Sequence, residues 1–117
     1  MSIQTKRFES ADEAREFGNG RFDVAELRGV AIGRASYDPG WKWSEHVGRG
    51  LGQSYCEVEH VGLVLSGRCA VQMKDGGDFR VLEPGDVFWV PPGNDSWVVG
   101  EEPYVSIHFL GAGSYAK

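Results

Sequence analysis

The sequence is poor in the residues that most catalytic chemistry draws on. Its 117 residues hold three histidines, two cysteines and five prolines. Two cysteines, Cys56 and Cys69, are too few for a disulfide framework. The opening MSIQTKRFES has no apolar core of the kind a secretory signal needs, and no apolar run approaches the ~20 residues that span a bilayer. A cytoplasmic location with both thiols reduced, and no membrane partner, is the expectation. Basic residues are also short: 12 Lys and Arg stand against 17 Asp and Glu, giving a net charge of −5. A chain of that sign repels phosphate backbones and shows no basic stripe, so a nucleic-acid partner is not expected. No phosphate loop, dinucleotide fingerprint or nucleophile elbow occurs. The glycine-rich stretch 48–52 lacks the Lys-Ser/Thr that would follow in a phosphate loop.

Glycine is what the chain has in excess, with 17 residues and no regular period. Scattered glycine at this density suits many tight turns joining many short strands. Length and an ordinary 41% hydrophobic content fit one globular domain over 1–117. Within it, the pattern predicts a helical segment over 1–20, a β-barrel over 21–110 and a tail over 111–117. The helix rests on Ser10 and Glu13 as a capping box with Gly18 as its stop.

From residue 21 the period changes to two, with turn signals every ~8–12 residues. Strands are predicted at 22–27, 30–37, 41–47, 54–65, 68–73, 79–82, 87–90, 96–99 and 104–109. Asp38-Pro39-Gly40-Trp41 and Glu83-Pro84-Gly85-Asp86 place Pro and Gly as a type II turn requires. Two of these strands, around Val61–Leu65 and Val87–Val90, are apolar on both faces. The second face is to be covered by the amino-terminal segment, the carboxy-terminal tail or a second subunit, and a homodimer is the expectation.

All three histidines, His46, His60 and His108, fall in predicted strands. Cys56 lies four residues before His60, on the same strand face. With His46 from the preceding strand, these make an N,N,S set suited to a divalent metal such as Zn, Fe, Mn, Ni or Cu. The competing reading is that each is an ordinary buried core residue.

The stretch from Gly40 to about Phe109 resembles the conserved barrel of the cupin superfamily. Gly40-Trp41-Lys42-Trp43-Ser44-Glu45-His46 matches the opening of the first family motif, and His60 to Gly67 its closing part. Gly85 to Gly93, ending Val-Pro-Pro-Gly, matches the second motif without a gap. The resemblance implies an all-β, double-sheet jelly-roll barrel with an interior site. Of the four ligand positions it implies, two hold His46 and His60, while the others fall on Gly48 and Ser96.

Two functions follow. One is a metal held by His46, Cys56 and His60, with water or Asp95 completing the shell. The other is a metal-free pocket for a small-molecule ligand, with the histidines as hydrogen-bonding or acid–base groups. Asp95, Ser96, Trp89 and His108 are the further candidates for its wall. Strand parity turns Trp41 and Trp43 away from the interior, and His108 is expected to reach the second motif by pairing with 96–99.

Overall fold

The computed structural model describes residues 1–117. After a single 3-10 turn at Phe8–Ser10 come β1 (Glu13–Phe17), β2 (Gly20–Leu27) and β3 (Val30–Tyr37). A helical passage follows, a π turn at Ser44–Gly48 running into α1 (Arg49–Leu51). The chain then forms β4 (His60–Ser66), β5 (Arg68–Met73), β6 (Phe79–Leu82), β7 (Val87–Val90), β8 (Asn94–Val99) and β9 (Tyr104–Leu110). The fold class is all-β. A six-stranded antiparallel sheet, ordered β1-β2-β3-β9-β4-β7, faces a three-stranded one, ordered β6-β5-β8.

Two Pro-Gly turns form as the sequence requires. Gly40 and Gly85 sit at φ +92° and +93°, each following a proline, and the i+3 amides of Trp41 and Asp86 donate back across the turn. A side chain with a Cβ is strained at that φ, so these two glycines fix where the chain reverses.

The amino-terminal segment corrects the helix expected over 1–20. Residues 13–17 form β1, in register with β2 from Glu13↔Val24 to Phe17↔Gly20. Ser10 caps nothing, and Asp12 instead accepts from the Glu26 amide at 2.7 Å. A two-turn helix is marginal in isolation, whereas the hairpin gains five ladder positions. The pairing also turns Arg15 to the inner face, where it is needed below.

The strand expected over 41–47 is likewise helical. Trp43 and Val47, both buried, are spaced i, i+4, which is helix periodicity read as strand alternation. The Asp95 carboxylate fixes the turn by accepting from the Ser44 amide at 3.0 Å. The strand expected over 54–65 starts only at His60. Before it, Cys56 makes an isolated bridge to Asn94.

The core lies between the sheets, with Phe22, Val24, Ala35, Val64, Val71 and Phe88 among its buried members. Trp41 and Trp43 belong to it, at 1% and 2% exposure, and do not point away as parity suggested. Neither lies in a strand, since Trp41 closes the Pro-Gly turn and Trp43 leads into the helical one, and parity arguments hold only inside a strand.

Candidate functional site

The inner faces of β4 and β9 are unusual for a β core. Inward-facing positions there include His60 on β4, and Ser106 and His108 on β9, all buried. His108 is accommodated because its cross-strand partners are both glycine: Gly33 on β3 and Gly62 on β4. A Cβ on Gly33 would overlap the Phe22 ring, and one on Gly62 would stand 2.6 Å from the Phe88 ring. The vacated space is therefore filled by two phenyl rings, which meet His108 edge-on at 5.2 and 5.6 Å between centroids. Glycine inside a strand signals close approach of another group. Here that group is the aromatic box around His108.

His60 closes the box. Its ring meets His108 at 5.2 Å and 84°, and Tyr115 at 5.0 Å and 77°. His60 Nε2 lies 3.5 Å from Cys56 Sγ, and His108 Nε2 lies 3.0 Å from Ser106 Oγ. The remaining ring nitrogen of each histidine, Nδ1, is buried with no partner, as is Trp43 Nε1. Buried polar atoms are normally paired, and three of the five that are not belong to residues around one space.

That space is a cavity between the sheets. His60, His108, Tyr115 and Phe88 bound it on one side, Trp43 and Ser96 on others. Room for the centre of a water molecule within it amounts to about 40 Å3. That exceeds the ~10–15 Å3 a cavity needs to hold one water.

The electrostatics follow from burial. Desolvation pushes the His60 imidazole down to about 4, and desolvation with the neighbouring His60 pushes His108 down to about 3. Both rings are neutral at pH 7. Burial pushes the Cys56 thiol up to about 11 and the Cys69 thiol up to about 12. The phenols of Tyr37 and Tyr115 are raised well above their ordinary value, chiefly by burial. The site is polar but uncharged.

Of the seven residues singled out from sequence, the structure brings four to this region. His60, His108 and Ser96 line the cavity, and Cys56 touches His60. His108 arrives by a different route than expected: β9 inserts between β3 and β4, while β8 pairs with β5. His46 does not arrive. It sits on the helical turn with its Nδ1 accepting from the Lys42 amide at 2.9 Å and its ring against Gly18. Asp95 is occupied by the amides of Ser44 and Ser96. Trp89 faces outward, 62% exposed, and donates its Nε1–H to Glu59 at 2.7 Å. Strand β7 alternates Phe88 and Val90 inward with Val87 and Trp89 outward, so Trp89 could face the cavity only through a register slip.

The residues present do not assemble the metal shell expected from sequence. His46, Cys56 and His60 are not gathered around one point, and no three His, Cys, Asp or Glu side chains are placed to hold an ion. Position 48 is glycine for a packing reason: a Cβ there would come within 2.5 Å of the Trp43 ring and overlap the Gln53 carbonyl. Sequence reasoning missed Tyr37, Tyr104 and Tyr115, and the phenyl rings beside His108. The strand glycines Gly33 and Gly62 were the available signal for the last.

No protein-family model matches the sequence, and no curated protein matches it. Solved structures do. A structural-genomics protein of unknown function from Rhizobium leguminosarum bv. viciae 3841 is 21% identical, with a TM-score of 0.63 over 92% of this chain and 95% of that one. The polyketide cyclase RemF from Streptomyces resistomycificus is 15% identical, with a TM-score of 0.62 over 92% of this chain and 77% of that one. KdgF from a Halomonas species is 17% identical, with a TM-score of 0.57 over 85% of this chain and 87% of that one. Likeness at these identities concerns the fold, and the fold it shows is cupin-like: two facing antiparallel sheets with the candidate site between them.

Proposed function

We propose that this protein is a small cupin-like binding protein whose interior takes an uncharged organic molecule between His60, His108, Trp43 and Phe88. One observation carries the reading. Two neutral imidazoles and an indole line a single cavity with Nδ1, Nδ1 and Nε1 unpartnered. Each unmade bond costs about 1–3 kcal/mol, which a ligand with matched donors and acceptors recovers. Apolar walls with a few convergent polar groups are the usual make-up of small-molecule sites. A charged ligand is disfavoured, because nothing in the cavity carries a compensating charge. The histidines enter as hydrogen-bonding groups.

The test is a thermal-shift and NMR screen of small uncharged molecules against matched carboxylates and amines. Neutral ligands should shift the His60 and His108 ring signals, and His60→Ala and His108→Ala should lose the response. Preference for charged probes would overturn the reading. Metal analysis of tag-free protein is the second arm: a stoichiometric ion lost in His60→Ala would replace it with a metal centre.

A second copy of the chain is the partner we infer for the outer face. Outward positions of β7, β4 and β9 are all apolar: Val87 and Trp89, Val61 and Leu63, Ile107 and Phe109. Cross-strand pairing makes them contiguous, with Val61 opposite Trp89 and Leu63 opposite both Val87 and Ile107. The apolar patch, bordered by Arg34 opposite Ile107 and by Glu59 on the Trp89 indole, fits another apolar face, and a two-fold axis brings it against itself. Sedimentation of wild type and Ile107→Lys checks this; a monomeric wild type at tens of micromolar would exclude it.

A further inference from the structure

The cavity is small for a reason that lies outside both sheets. After β9 the chain turns at Gly111, φ +90°, and runs back over the inner edge of the large sheet. This tail takes part in no ladder. Its own backbone bonds are local, from the Ser114 and Tyr115 amides to the Gly111 carbonyl at 3.2 and 3.1 Å. Yet Ala112 and Tyr115 are among the most buried residues of the protein, at 1% and 3% exposure.

Two contacts hold it. The Arg15 guanidinium, itself buried on β1, donates to the carbonyls of Ala112 at 2.9 Å, Gly113 at 3.1 Å and Tyr115. The Tyr115 hydroxyl bonds that of Tyr37 at 2.8 Å, with the Tyr115 ring 4.7 Å from Phe22 and 5.0 Å from His60. One side chain therefore clamps the backbone, and one phenol fills the site. The filling is incomplete in chemical terms: with Tyr115 in place, Nδ1 of His60 and of His108 still lack partners.

We propose that the tail from Gly111 to Lys117 is a displaceable plug, and that the space Tyr115 fills is a binding site for a small uncharged phenol. The proposal rests on the interior being a ligand site, and adds the ligand's class and the part that must move to admit it. The phenol class follows from the occupant itself. A flat ring fits between Phe22 and His60, and a hydroxyl reaches Tyr37. An external phenol makes the same contacts and carries no chain, so it is free to offer a second polar group to the waiting imidazole nitrogens. Displacement is made feasible by the absence of a ladder. It requires release of Arg15 from three carbonyls and rotation at Gly111, with open space where a Gly113 side chain would stand. The neutral state of both imidazoles agrees with an uncharged guest.

The experiment titrates p-cresol, the side chain of tyrosine as a free molecule, into the 117-residue chain, with toluene and p-toluate as controls. Binding is read by calorimetry and tail release by amide hydrogen exchange. At saturation, the Ala112 and Tyr115 amides should exchange at least tenfold faster. Arg15→Gln, which weakens the clamp, should bind p-cresol about tenfold more tightly than wild type. Tyr115→Phe keeps the ring but loses the bond to Tyr37, so it should shift affinity the same way and serves if Arg15→Gln does not fold. Toluene and p-toluate should bind at least tenfold more weakly than p-cresol. Unchanged tail protection at saturation, or equal affinity in wild type and both variants, overturns the plug. If other neutral molecules bind while p-cresol does not, the phenol assignment fails and the interior site stands. If no neutral molecule binds wild type or either variant, both fail together.

Discussion

The inner and outer faces of β4 and β9 depart from the usual order of a β protein. Inward lie His60, Ser106 and His108; outward lie Val61, Leu63, Val105, Ile107 and Phe109. In an antiparallel sheet with one wet face, the polar residues point to water. Here polar residues share the inner face with Val64, and the outward positions are apolar, an apolar outer face that continues onto β7 with 76% exposure at Val87. Burying two imidazoles without complete partners costs stability, so the inner face serves something other than folding. Leaving a contiguous apolar face in water is also unfavourable, unless another surface covers it. Each departure points to a different kind of binding: a small molecule within, a protein surface without.

The largest effect separating the two faces is acid stability. His60 and His108 have folded pKa values near 4 and near 3, below the 6.5 of the unfolded chain. Between those values the unfolded state binds protons that the folded state refuses. Stability is therefore fully present above about pH 7 and declines as pH falls through 6.5 toward 4, by on the order of 3 kcal/mol for each ring. Urea unfolding at half-unit pH steps should show the decline, and His108→Gln should remove about half of it. A flat profile between pH 6.5 and 4 would mean that the inner face is not buried as described.

A smaller effect tests the room made for the aromatic box. Gly62→Ala places a Cβ 2.6 Å from the Phe88 ring and against the Ile107 carbonyl. Overpacking of that kind costs about 1–3 kcal/mol. The urea midpoint should fall accordingly, and a shift under about 0.5 kcal/mol would show that the ring moves freely.

The smallest folding effect belongs to the outer face. Trp89→Lys and Ile107→Lys remove no core contact and should change monomer stability by no more than about 0.5 kcal/mol. Their consequence is expected in association, as a tenfold or greater weakening of self-association measured by sedimentation. Large destabilisation of the monomer by either would instead make the outer face part of the folding unit.

Legibility in the sequence tracks how local the cause is. Strands 30–37, 68–73, 79–82 and 87–90 were readable to the residue, because alternation and the Pro-Gly or Asp-Gly turns beside them act over a few positions. The two errors of element type, at 13–17 and 41–47, occurred where short segments carried both periodicities. Tertiary contacts decided them: Arg15 against the tail, and Asp95 capping the Ser44 turn. The site was half legible. Cys56 and His60 do meet, though through a bridge to Asn94 and not along one strand face, whereas His46 was assigned to a strand that does not form.

By itself, the sequence determined the all-β class, most of the strands and the turns between them. Those depend on φ preferences and side-chain period, which each short segment carries with it. The tertiary structure alone decided that β9 lies between β3 and β4, and so that His108 meets two glycines and His60. It also decided that Tyr115, in a tail with no strand pattern of its own, closes the cavity beside His60. Non-local pairing is chosen by the burial of whole faces, and no short stretch of chain contains that information.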